Sequence, residues 1–256
     1  MANVDIFDTI DSLRRSDAPF CVATVVRTAD VTSAKAGAKA VVAAGGEIIG
    51  HLGGACVQRA VRKAAMDALE VGDTRMIRVK PSGEVATPLD VDGVRLYKSG
   101  CPSGGTADIL IEPFRSPARL VIFGDTPISV AVARHAGLLG LRVTTLEKAD
   151  ADEDLDLSAD DFVVVASQGM DDLAALRIAL ESGAGYVSMV ASLKKAEVLK
   201  ERLAGSGIPS ERLAALKAPA GLAIGGVDSH EIAVSIIAEI IQCRAVGRDR
   251  RKGSTT

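Results

Sequence analysis

The 256-residue sequence has no tryptophan, two tyrosines and five phenylalanines, so it offers no row of aromatic faces on which bases could stack. It also lacks an excess of either charge: 30 lysines and arginines stand against 33 aspartates and glutamates. Without stacking platforms or a basic field, nucleic acid is not an expected partner. No apolar run approaches the about 18 residues that a membrane span needs. The start, "MANVDIFDTIDSLRRSD", is acidic and amphipathic where a secretion signal would be basic and then apolar, so a cytoplasmic location is expected. Three histidines (His51, His135, His230) and four cysteines (Cys21, Cys56, Cys101, Cys243) are scattered with no C-x-x-C pair. Neither a disulfide framework nor a structural zinc site can be read from that spacing. Each cysteine is by default a small buried apolar residue, most clearly Cys21 inside "FCVATVV" and Cys243 near a helix end.

At roughly 100–200 residues per domain, the length suits two domains. The first half mixes element types. Ile6, Ile10 and Leu13 mark one face of a helix over 5–15, and "FCVATVVRT" (20–28) is a β-branched strand. A small-residue loop (29–37), a strand near 38–44, a Gly45-Gly46 turn and a short strand to Gly50 follow, then an amphipathic helix over 58–70. Strands are expected at 74–79 and 94–98 and in the run ending at 114, with "RSPA" (115–118) as linker. Beyond it, apolar strands (119–124, 142–147, 161–167, 185–191) alternate with helices (127–139, 171–182, 193–204). That alternation predicts a parallel sheet covered on both faces, a Rossmann-like domain. The expected fold class is therefore α/β, with a smaller N-terminal α/β domain (1–115) and a C-terminal Rossmann-like domain (119–244). A glycine-rich loop (218–226) leads to a last helix, Ser229–Arg244, and the charged tail 245–256 is expected to be disordered.

A dinucleotide fold needs G-x-G-x-x-G after its first strand so that a pyrophosphate can approach the backbone. Here the run is Gly124-Asp125-Thr126-Pro127-Ile128-Ser129, which keeps only the first glycine. Glu147, ending the second strand, is placed like the carboxylate that accepts a ribose hydroxyl. A nucleotide site with weakened nicotinamide binding and a scaffold without a ligand at this turn both remain open. "LGGACVQ" and "KSGCPSGGT" each couple a cysteine to glycines that expose amides, an anion cradle beside a thiol. A helix N-terminus stabilises a thiolate, which favours nucleophilic, metal-binding or sulfur-carrying roles; an isolated cysteine near a helix start is more often merely packed, and it is the second motif that raises the odds of function.

The segments "CVATVVRTADVTSAKAGAKAVV", "GHLGGACVQRAV", "GCPSGGTADILIEP", "YVSMVASLKK" and "APAGLAIGGVDSHEIAVSIIAEII" together resemble the XdhC/CoxI family of maturation proteins for molybdenum hydroxylases. The resemblance runs from Cys21 to Arg244. Its departures are specific: G-G-G-C-x-E becomes Gly53-Gly54-Ala55-Cys56-Val57-Gln58, G-S-R-x-K becomes Ala191-Ser192-Leu193-Lys194-Lys195, G-L-D-I-G becomes Gly221-Leu222-Ala223-Ile224-Gly225, and a histidine becomes Gln168. Gln58 and Ala223 thus stand where the family carries carboxylates. "TSAKAGAKA" and "CPSGGT" are closer to the branch associated with carbon monoxide dehydrogenase.

The resemblance implies a homodimeric chaperone rather than a turnover enzyme. Its cargo would be the molybdenum cofactor, in this branch the molybdopterin cytosine dinucleotide. It would protect the cofactor, support its sulfuration with a sulfur donor protein, and insert it into the apo-molybdoenzyme large subunit of xanthine or carbon monoxide dehydrogenase type. Cys56 and Cys101 would carry the chemistry, with Cys56 facing a cleft between the domains and able to meet molybdenum. Gly53, Gly54, Gly104 and Gly105, with Lys35 and Lys39, would cradle phosphates. Gly124, Glu147, Gly221 and Gly225 would approach the cofactor from the Rossmann side. The competing readings are a nicotinamide-dependent oxidoreductase and an interaction module without cofactor.

Overall fold

The computed structural model describes residues 5–100, 105–149, 155–169 and 171–253. Two compact units meet in sequence between Ser116 and Pro117. Among the described residues no helix is long and apolar enough to cross a membrane.

The first unit is built on strands β1 (Phe20–Ala29), β2 (Lys39–Ala43), β3 (Ile48–Gly50), β4 (Arg75–Pro81), β5 (Arg95–Ser99) and β6 (Thr106–Phe114). They form one sheet in the order β3-β2-β1-β6-β4-β5. All its pairings are antiparallel except β4 with β5. Helix α1 (Ile6–Arg15) sets Ile6, Ile10 and Leu13 against Phe20, Val22 and Val41 on one face. Helix α2 (Ala55–Val71) covers the other with Val57, Ala60, Val61, Ala64, Ala65, Ala68 and Val71. These small side chains let its backbone approach the sheet, and the Cys21 thiol donates to the Ala65 carbonyl at 3.4 Å. Gly72, at φ 84°, ends α2 and bonds back to the Ala68 carbonyl. Because α2 starts at Ala55 rather than at Gln58, Cys56 belongs to its first turn.

The second unit holds β7 (Arg119–Phe123), β8 (Arg142–Leu146), β9 (Phe162–Val165) and β10 (Tyr186–Met189) in the all-parallel order β10-β9-β7-β8. Helices α3 (Pro127–Leu138) and α7 (Ser229–Gly253) pack on one face, while α4 (Asp172–Glu181), α5 (Leu193–Ala204) and α6 (Ser210–Ala215) pack on the other. This is the α/β class expected. Two details differ. The one-and-a-half-turn α6 is too short to leave a periodic signature. Helix α7 continues to Gly253, nine residues past the Arg244 expected as its end.

Candidate functional site

In the first unit a cavity of about 530 Å³ lies where the start of α2 meets the loop at Thr32 and Ser33, the end of β5 and the start of β6. Sequence builds it through a glycine turn. Gly53 has φ 124°, and a Cβ there would stand 3.1 Å from the Ala34 amide nitrogen. The Gln58 side-chain amide donates to the Gly53 carbonyl at 3.2 Å, and the Gly54 amide donates to Ser33 Oγ at 2.9 Å. An ionised glutamate at 58 could not donate that first bond. Gly54 is the N-cap of α2 and supplies no side-chain acceptor. The first ladder bond is Gln58 to the Gly54 carbonyl, so among the described residues the amides of Ala55, Cys56 and Val57 stay uncapped. Uncapped amides and the helix dipole favour an anion at this end.

Cys56, half-buried, lines this cavity, and Arg59 and Lys63 follow it at helical spacing on the same face of α2. Lys98 at the end of β5 adds a third cation, and among the described residues no acidic side chain lines the space. Among the described residues none of these three cations has an ion-pair partner. Tyr97 also lines the cavity; burial pushes its hydroxyl up, and that hydroxyl has no hydrogen-bond partner among the described residues. The arrangement can hold a phosphate-bearing ligand beside a thiol.

The expected site residues divide. Cys56, Gly54 and Gly105 line the cavity, and Gly53 shapes the turn behind it. Gly105 is required because a Cβ would come within 2.5 Å of the Val31 carbonyl oxygen. Cys101 and Gly104 lie outside the described residues. Lys35 is exposed in its loop, and Lys39 donates to Thr24 Oγ1 at 2.9 Å on the sheet face away from α2. Neither lines the cavity, so the positive charge expected of them comes instead from Arg59, Lys63 and Lys98. The spacing of Cys56, Arg59 and Lys63 was the available signal.

In the second unit Gly124 (φ 115°) would place a Cβ 2.5 Å from the Ala166 carbonyl oxygen. That glycine serves the close approach of two strand ends. Thr126 caps α3 by accepting from the Ser129 amide at 3.2 Å, and its hydroxyl donates to the Ala166 carbonyl at 3.0 Å. Pro127 has no amide to offer. The first turn of α3 therefore keeps few donors for a pyrophosphate. Glu147 is exposed just beyond β8. Gly221 (φ 94°) would place a Cβ 2.2 Å from Ser235 Oγ, so the backbone it brings close is that of α7; Gly225 (φ 78°) faces open space.

The profile of the XdhC and CoxI family matches residues 13–80, and that of the XdhC Rossmann domain matches residues 120–240. The chain belongs to the XdhC and CoxI family. It is 29% identical over 263 aligned residues to the uncharacterized protein YqeB of Escherichia coli K12, covering 94% of this chain and 46% of YqeB. The chain thus spans about half the length of that relative. A crystal structure of a xanthine dehydrogenase from Bacillus halodurans aligns over 95% of this chain and 96% of its own, at 18% identity and a TM-score of 0.43. In this XdhC/CoxI protein the cavity with Cys56 falls in the first unit, and the parallel sheet is the XdhC Rossmann domain.

Proposed function

We propose that this XdhC/CoxI protein is a maturation factor for a molybdenum hydroxylase and carries the molybdenum cofactor as cargo in the cavity at the start of α2. One observation carries the reading: among the described residues, three uncapped amides, three cations without an ion-pair partner and the Cys56 thiol line one space of about 530 Å³, and no carboxylate lines it. A pterin dithiolene phosphate combines an anion with a sulfur-bound metal, and that chemistry matches a cradle of donors beside a thiol. Arg59, Lys63 and Lys98 neutralise phosphate. Cys56 meets the molybdenum end and shields it, while Cys101 belongs to the same thiol chemistry by resemblance.

The factor works as a homodimer in the cytoplasm, receives sulfur from a separate donor protein and delivers the cofactor to the apoenzyme's large subunit. The cytosine dinucleotide form is the proposed cargo on the strength of "TSAKAGAKA" and "CPSGGT". A nicotinamide-dependent oxidoreductase is the weaker reading, since the capped first turn of α3 leaves a pyrophosphate little to bind. The test is co-expression with a molybdenum hydroxylase. Cys56→Ser should leave the folded factor intact and yield client with unsulfurated or metal-deficient cofactor; normal client from that variant contradicts the role of the thiol.

A further inference from the structure

The Rossmann unit spends the first turn of α3 on internal bonds, yet it holds a cleft of about 600 Å³ elsewhere, beyond the carboxyl ends of β9 and β10 and between α4 and α5. We propose that this cleft binds the phosphate of a nucleotide, one strand away from the turn that usually does so. The cleft is positively charged on one side. Lys194 and Arg202, both exposed, line it without an ion-pair partner among the described residues. Lys195 is committed to the wall, where it pairs with the buried carboxylate of Asp172. Asp172 also accepts from the Ser167 hydroxyl and from the Gly169 amide at 3.1 Å. Burial alone would raise its carboxyl, but these donors hold it below the ordinary range. The carboxylate inside the wall is therefore spoken for, and Asp171 at the mouth is the opposing charge that a ligand must tolerate.

The walls of the cleft are partly apolar. Leu173 and Val198, 38% and 43% exposed, face the cleft, an apolar surface against which a base can lie. Gly169, at φ 103° with nothing near its Cβ position, leaves room for close approach. The cap of α5, Ser192, satisfies only the Lys195 amide at 3.3 Å, so the Leu193 and Lys194 amides add donors on the side of the free cations. The ligand class is a nucleoside mono- or diphosphate. This inference does not rest on the molybdenum reading, because the cleft and the Cys56 cavity belong to different units.

Calorimetry of the full chain with cytidine diphosphate, adenosine diphosphate and inorganic pyrophosphate tests it, beside amide chemical-shift mapping. Cytidine or adenosine diphosphate should bind, with shifts at Gly169, Leu173 and Leu193. Lys194→Glu with Arg202→Glu should weaken binding at least tenfold, whereas Arg14→Glu on the exposed face of α1, outside both cavities, should not. Tighter binding of the nucleotides than of pyrophosphate assigns the apolar wall to the base. Shifts centred on Gly124 and Ile128, binding unchanged in the double variant, or no binding of any of the three overturns the proposal.

Discussion

The hydroxyl of Tyr186 donates to the carboxylate of Glu239 at 2.7 Å, and the same oxygen accepts the amide of Gly221 at 2.8 Å. Glu239 is buried and thereby ties β10, α7 and the glycine loop before α7 into one unit. Burial pushes the Tyr186 hydroxyl far up, and Glu239 adds to that shift. Tyr186→Phe should cost about 1–3 kcal/mol, the usual penalty for leaving a buried acceptor short of a donor. Urea denaturation followed by circular dichroism measures it; an unchanged midpoint refutes the anchor.

Gly105→Ala should disturb the Cys56 cavity without touching its charges. The added Cβ would meet the Val31 carbonyl oxygen at 2.5 Å and Thr32 Cβ at 2.6 Å, so the loop that carries Ser33 must move. Overpacking of this kind costs about 1–3 kcal/mol. A lower melting temperature together with weaker cofactor retention is expected, and a neutral melt would show that the loop yields freely.

Acid should loosen the first unit through Arg78. Its guanidinium meets Asp108 at 2.6 Å and Asp90 at 2.6 Å. The bond from Arg78, with those from the Val91 amide and Lys80, lowers Asp90 from 3.8 to about 2. A carboxyl lowered on folding contributes stability that is fully present above its unfolded pKa and lost as pH falls through the folded one. The loss should therefore fall between about pH 4 and pH 2, and Asp90→Asn should flatten that limb of a pH-dependent melt. A limb unchanged by the substitution contradicts the assignment.

The cysteines should react in an order set by burial. Cys21 is fully buried and its thiol is pushed up to about 12, while burial also raises Cys243. In a Cys101→Ser background, iodoacetamide at neutral pH should label Cys56 first, Cys243 next and Cys21 only on unfolding. Peptide mass spectrometry reads the order, and early labelling of Cys21 would contradict the packing of β1 under α2.

Much of the fold was legible because it is written in local patterns. The run from 119 to 204 alternates apolar strands and amphipathic helices, and that alternation alone implies the covered parallel sheet. The parallel pairing of β4 with β5 leaves no such trace, since it is set by how the intervening segment returns. For the candidate site, "GGAC" announces a turn into a helix, but Lys35 and Lys39, the cations in a loop otherwise built of small residues, do not belong to it. The strand alternation that buries Ala40 and Val42 under α2 sends Lys39 to the opposite face, and Lys98 reaches the cavity only through the sheet. Gly124 and Gly221 resemble sites of ligand approach in the sequence; the backbones they admit are those of Ala166 and Ser167, just past β9, and of α7.

Native mass spectrometry of the protein, isolated without oxygen from cells making the cofactor, reads whether the cavity at Cys56 holds a molybdenum pterin. A bound molybdopterin species is expected, lost from Arg59→Glu with Lys63→Glu and retained by Lys194→Glu with Arg202→Glu. Isolation of the parent protein free of any pterin, or equal retention by the Arg59 and Lys63 variant, would contradict that occupancy.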